Sequence, residues 1–198
     1  MTDTTLNILK GLTPTRKLGS NRNAGGVNIY PVSNGYATAI GNGDPVKLSA
    51  GKIELATNAG VVLGTLQGVM YIDSDGALQV KPNFVAATSS KGGAIVAQGY
   101  TQVLALVNDD PNQTYIVRTV DAASVSAGMV GRSFKVSAIG SVVNGRSQCV
   151  LDVAASAGTS GGHMITVMGL WSEPGNVWGG APTAVEVKLS NHGIIGEL

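Results

Sequence analysis

The feature that most limits what this chain can fold into is its punctuation. Clusters of Gly, Asn, Asp, Pro and Ser recur at roughly 8–15 residue spacing, the rhythm of an all-β sandwich or barrel. Between them lie short β-branched and aromatic runs. Asn108-Asp109-Asp110-Pro111-Asn112 is a tight turn signal, and Tyr115-Ile116-Val117-Arg118-Thr119-Val120 follows it. Val185, Val187 and Leu189 alternate with Glu186, Lys188 and Ser190, the period of a strand with one buried face. Val46-Lys47-Leu48 and Ile53-Glu54-Leu55 flank Ser49-Ala50-Gly51 as a hairpin. The apolar stretch 60–72 reads as a strand buried on both faces, or as two short ones.

Composition removes the helical alternatives. Gly supplies 28 of 198 residues and charged residues only 13%, against a usual ~7% and ~25%. Such a chain is poor in helix formers. The best helix candidate is 121–131, where Asp121 could cap and Gly131 could stop a piece of two turns. The expected fold is all-β. It is an antiparallel β-barrel or β-sandwich of many short strands and Gly-rich turns, with at most one or two short helices. Residues 1–29 form an extended basic arm, and 30–198 form the β-rich domain. If that domain has two lobes, they divide near 82–93. No repeat of fixed length is visible.

The arm carries Lys10, Arg16, Lys17 and Arg22 against Asp3 alone, while the whole chain has a net charge of only +1. These four bases are the candidates for contact with an acidic partner surface. A nucleic-acid binder would carry a general basic excess, so direct nucleic-acid binding is not expected. No signal peptide is read at the N-terminus, because Asp3 stands where a basic segment belongs. The uncharged stretches 55–72 and 153–172 are too rich in Gly, Ser and Thr to read as membrane spans.

Little in the chain points to chemistry. Cys149 is the one cysteine, so neither an intrachain disulfide nor a multi-Cys metal site can form. It shares a strand face with Leu151 and Val153 and reads as buried structure. Gly158-Thr159-Ser160-Gly161-Gly162 matches G-x-S-x-G. That elbow needs a strand-turn-helix setting, and here a β-rich run follows. His163 and His192 read as a strand edge and a turn. No catalytic residue, cofactor or metal is expected. Trp171 and Trp178 bracket a Glu-Pro-Gly-Asn loop, and are candidates for an oligomer or ligand interface as well as for closing the core.

Several segments resemble a known family, the decoration or cement proteins of tailed-bacteriophage heads. They are Gly43-Asp44-Pro45-Val46-Lys47-Leu48, then Asn108-Asp109-Asp110-Pro111 running into Tyr115-Ile116-Val117. Gly169-Leu170 with Pro174-Gly175-Asn176-Val177-Trp178-Gly179 and the closing 185–192 also fit. The likeness runs in patches from about 27 to 192. It implies a non-enzymatic protein, made in a host cytoplasm and located in the virion on the capsid exterior. There it would bind the major capsid protein, cement neighbouring subunits and resist DNA pressure. It also implies a homo-oligomer, with a trimer favoured over a dimer. The rival reading is a β-sandwich binding module of a phage tail or surface, holding a carbohydrate or protein on Trp171, Trp178 and Tyr100.

Overall fold

A computed structural model describes residues 10–18, 26–33, 35–57, 60–72, 75–85, 103–120, 125–154 and 163–193. The fold is all-β. Its strands are β1 (Thr13–Lys17), β2 (Asn28–Val32), β3 (Pro45–Ser49), β4 (Lys52–Leu55), β5 (Gly64–Ile72), β6 (Leu78–Lys81) and β7 (Val103–Asn108). They continue with β8 (Gln113–Arg118), β9 (Ser133–Ser137), β10 (Val142–Val143), β11 (Arg146–Ser147), β12 (Val150–Asp152), β13 (Ile165–Leu170) and β14 (Ala184–Leu189). Among the described residues the only helical element is a 3-10 turn, Ala127–Met129. It lies inside the expected helix, of which 121–124 fall outside the described residues. Gly128 and the early stop at Gly131 leave too little chain for an α-helix to recover its nucleation cost.

Two six-stranded sheets carry the chain, in the orders β3-β4-β2-β7-β5-β6 and β1-β8-β14-β13-β9-β12. Each closes on itself. In the first, β3 also pairs with β5, so β3, β4, β2, β7 and β5 make a ring with β6 added outside. In the second, the bridge between Thr119 and Leu151 joins the end of β8 to β12, and β1 is the added strand.

The two rings are the same barrel. β2, β3, β4, β5 and β7 correspond to β8, β9, β12, β13 and β14, with every pairing and direction preserved. The one parallel contact is Val32 with Ile53 in the first barrel and Thr119 with Leu151 in the second. Leu48 faces Ile53 as Val136 faces Leu151. Pro45 faces Thr65 as Ser133 faces Thr166. Leu66 faces Val107 as Val167 faces Val187. Each barrel has a β-bulge at the same place, between Leu66 and Gly68 and between Val167 and Gly169. A Gly of positive φ precedes β3 and β9 alike, Gly43 at 86° and Gly131 at 81°. Each donates its N–H to the bulged strand, to Leu66 O and Val167 O, at 2.8 Å in both cases.

Each barrel has its own core. Val32, Val46, Ile53, Leu66, Val69 and Val107 fill the first. Tyr115, Val117, Phe134, Leu151, Val167 and Val187 fill the second. The join is the turn 108–112 between β7 and β8; of the expected division near 82–93, Phe84 lies in the first core and 86–93 lie outside the described residues. Gly64 packs so tightly on this join that a Cβ there would sit 2.0 Å from Asn108 O. Across the join, Asp44 is fully buried and accepts from Gly41 N at 2.7 Å, Gly140 N at 3.2 Å and Ser147 Oγ at 2.5 Å.

Candidate interaction face

The expected arm divides on folding. Leu12 is buried in the second core, and β1 pairs with β8, matching Thr13 to Ile116 and Lys17 to Gln113. Residues 10–18 therefore belong to the β structure, and the expected boundary at 29 cuts through β2. Two of the four bases meet acids of the chain itself. Arg16 makes a two-pronged ion pair with Glu186 at 2.7 Å, and Lys17 reaches Asp110 at 2.6 Å. The Arg16 guanidinium lowers the Glu186 carboxyl, and the Lys17 ammonium lowers that of Asp110. Lys10 is half-buried and makes no ion pair among the described residues. Arg22 lies outside the described residues.

The tryptophans turn toward their own chain. Trp171 packs on Ile116 and Ala184, and Trp178 on the second core. Asn176 fastens the loop between them, donating to Trp171 O at 2.7 Å and Ala184 O at 2.8 Å. The loop's exposed large apolar residue is Val177. Tyr100 and Ser160 lie outside the described residues.

Cys149 is fully buried, and burial pushes its thiol up to about 12. His192 is buried, its imidazole lowered by desolvation, and its backbone bridges to Val62 of the first barrel. Asp109 accepts from Asn28 Nδ2 and from the Tyr30 hydroxyl, so this carboxylate anchors the turn 108–112 to β2. No group of three metal-ligating side chains occurs among the described residues. A cleft of about 290 Å³ opens at one end of the first barrel, lined by Val69, Tyr71, Lys81 and Phe84.

The most distinctive surface is the outward side of the first barrel. Side chains alternate along β-strands, so the residues between the core positions point out. On β2 these are Ile29 and Pro31, and on β7 Leu104 and Leu106. On β5 they are Met70 and Ile72, and on β6 Leu78 and Val80. Cross-strand pairing sets them side by side. Ile29 faces Leu106, Met70 faces both Leu104 and Val80, and Ile72 faces Leu78. None is charged. Ile72, Leu78 and Val80 are 59%, 64% and 62% exposed. The stretch 60–72, read from sequence as a strand buried on both faces or as two short ones, forms the one strand β5 from Gly64, and its outer end at Ile72 is exposed. The sequence signal for this face is the alternation of Leu78 and Val80 with Gln79 and Lys81 in β6, beside the continuous apolar run Val69-Met70-Tyr71-Ile72 of β5.

The second barrel covers the matching face. Ile116, Ala184, Trp171 and Glu186 stand where Ile29, Leu104, Met70 and Leu106 stand in the first. Three of them form a small cluster beside the Asn176 loop, and Glu186 is taken by Arg16. No family model, curated protein or solved structure matches this chain. No helix among the described residues is long and apolar enough to cross a membrane.

Proposed function

We propose that this chain is a non-enzymatic structural protein. It docks on the outer surface of a bacteriophage capsid and cements neighbouring major capsid protein subunits. The observation that supports the reading is the uncharged apolar face on β2, β7, β5 and β6. Monomeric proteins rarely leave a contiguous apolar patch of more than a few hundred Å² open to water, and such patches mark interaction sites. The face lies on a closed barrel, so it is held rigid before it meets a partner. Rigid surfaces lose little conformational entropy on docking. The resemblance of the turn and strand segments to head decoration proteins supplies the kind of partner.

This moves the expected contact from the basic arm to the barrel. Arg16 and Lys17 are engaged within the chain, whereas Ile72, Leu78 and Val80 on the barrel face are exposed. The test is co-sedimentation with capsids stripped of their decoration. The wild-type chain pellets with the shells. An Ile72→Lys/Val80→Lys variant, changed only at exposed outward positions, keeps its β-type circular dichroism and stays in the supernatant. Equal pelleting of both proteins would remove the face from the account.

A further inference from the structure

Beyond β14 the chain forms a strap between the two barrels. Asn191, His192 and Gly193 run beside Val62, which leads into β5 of the first barrel. Asn191 O accepts from Val62 N at 2.9 Å, and Val62 O accepts from Gly193 N at 2.8 Å. Val62 is fully buried, and it packs in the core of the second barrel. The strap thus fastens a residue of the first barrel into the second. It lies close, since a Cβ on Gly193 would sit 3.0 Å from Val61 Cγ1.

His192 is the middle of the strap and is only 6% exposed. Its imidazole donates to the backbone carbonyl of Asp109 in the turn 108–112. One residue therefore meets three parts of the junction: the end of β14, the approach to β5, and the turn that joins β7 to β8.

A neutral imidazole suits this place and a charged one does not. A buried cation is costly unless it is paired. Asp109 and Asp110 attract a charge on His192, and Lys188 of β14 repels it. Both carboxylates are already engaged. Asp109 accepts from Asn28 Nδ2 and the Tyr30 hydroxyl, and Asp110 is paired with Lys17 of β1 at 2.6 Å. Desolvation outweighs the attraction and holds the imidazole below its ordinary 6.5.

We propose that His192 is a pH-sensitive clamp on the junction, holding the strap on Val62 while neutral and releasing it on taking up a proton. In the lifted strap water solvates the ring, which then titrates at its ordinary 6.5. Below that value each further pH unit favours the lifted strap by up to about tenfold, until the ring is protonated in place. The clamp is therefore complete above 6.5 and is lost as pH falls toward the lowered value. Lifting the strap frees Val62, while the Asp44 network still ties the barrels. The inference does not depend on the capsid reading, and its test uses the purified protein alone.

The test is amide hydrogen exchange, read by NMR at about pH 7.5 and about pH 5 and corrected for intrinsic rates, a window above the ordinary carboxylate range. The Val62 and Gly193 amides report the strap, and the Gly43 and Gly131 amides serve as references inside the barrels. In the wild-type chain the two reporters lose about tenfold or more of their protection at the lower pH, and the references keep theirs. His192→Asn can still donate to Asp109 but takes up no proton, and it abolishes the loss. His163→Asn, at the chain's other histidine, retains it. Asp44 is common to all three proteins. Reporters equally protected at both pH values in the wild-type chain overturn the proposal, as does a loss that survives His192→Asn. The ring-proton shifts of wild-type His192 give a second reading that needs no variant. They should titrate below 6.5, and a ring titrating at or above that value overturns the proposal as well.

Discussion

Ile29 and Ile116 hold the same register position in the two barrels. Ile29 faces Leu106 across β7, and Ile116 faces Glu186 across β14. Ile29 is 55% exposed and Ile116 6%. The backbone is the same, so the difference comes from what lies on it. β1 and the Asn176 loop cover the second barrel, and nothing described covers the first. The functional reading rests on that asymmetry.

The join between the barrels depends on Gly64. A Cβ there would fall 2.0 Å from Asn108 O, so Gly64→Ala must push the two backbones apart. Overpacking of this kind costs about 3 kcal/mol. Urea unfolding should show that loss. Gly128→Ala serves as the control, since its Cβ would meet only Ser126 Oγ at 3.8 Å, and it should leave the midpoint nearly unchanged.

Asp44 carries a buried carboxylate that satisfies two backbone N–H groups and one hydroxyl. Asp44→Ala leaves those donors facing an apolar methyl in a dry site, which costs about 3 kcal/mol. Burial raises this carboxyl, with the Ser147 hydroxyl and the Gly41 and Gly140 amides pulling the other way. A folded value above the unfolded one means that Asp44 favours the folded state as pH falls through the raised value. Thermal melts should show the gap between wild type and variant widening as pH falls through the raised value and at its widest below the ordinary 3.8.

The Arg16–Glu186 pair has the opposite sign. Arg16 lowers the Glu186 carboxyl from its usual 4.5. Its contribution is therefore full above about pH 4.5 and disappears as pH falls through the lowered value. Melting temperatures of wild type and Glu186→Gln should differ at pH 7 and converge at pH 2. A gap that persists at pH 2 would mean that Glu186 acts by packing and not by charge.

Cys149 should be inert in the folded protein. Its thiol is fully buried and pushed up to about 12, so the reactive thiolate is scarce at neutral pH. Iodoacetamide should label it in concentrated urea and leave it unmodified in buffer over the same time. Rapid labelling without denaturant would show that the second barrel opens.

Individual strands were legible because alternation is local. Val185, Val187 and Leu189 announce β14, and Val46 to Leu55 announce the β3–β4 hairpin. The doubling of the barrel was not legible. Equivalent residues sit at unequal distances along the chain, Val107 with Val187 but Leu66 with Val167, because β6 interrupts one barrel and β10–β11 the other. Equivalent residues also differ in chemistry, as Leu106 and Glu186 do. β1 was missed because Thr13-Pro14-Thr15-Arg16-Lys17 has no apolar alternation, and the acids that hold it, Asp110 and Glu186, lie far along the sequence. The basic arm was legible as charge but not as to its partner. Which apolar positions stay uncovered depends on what the rest of the chain lays over each barrel, and no local pattern contains that.

The most direct test of the account is the binding isotherm of the purified chain on stripped capsids at 0.1 and 1 M salt. Contacts between exposed charges weaken at high salt, whereas apolar contacts do not. The account predicts saturable binding at fixed stoichiometry that survives 1 M salt with little loss. Binding confined to low salt would return the contact to the basic residues, and no binding at either concentration would contradict the capsid reading outright.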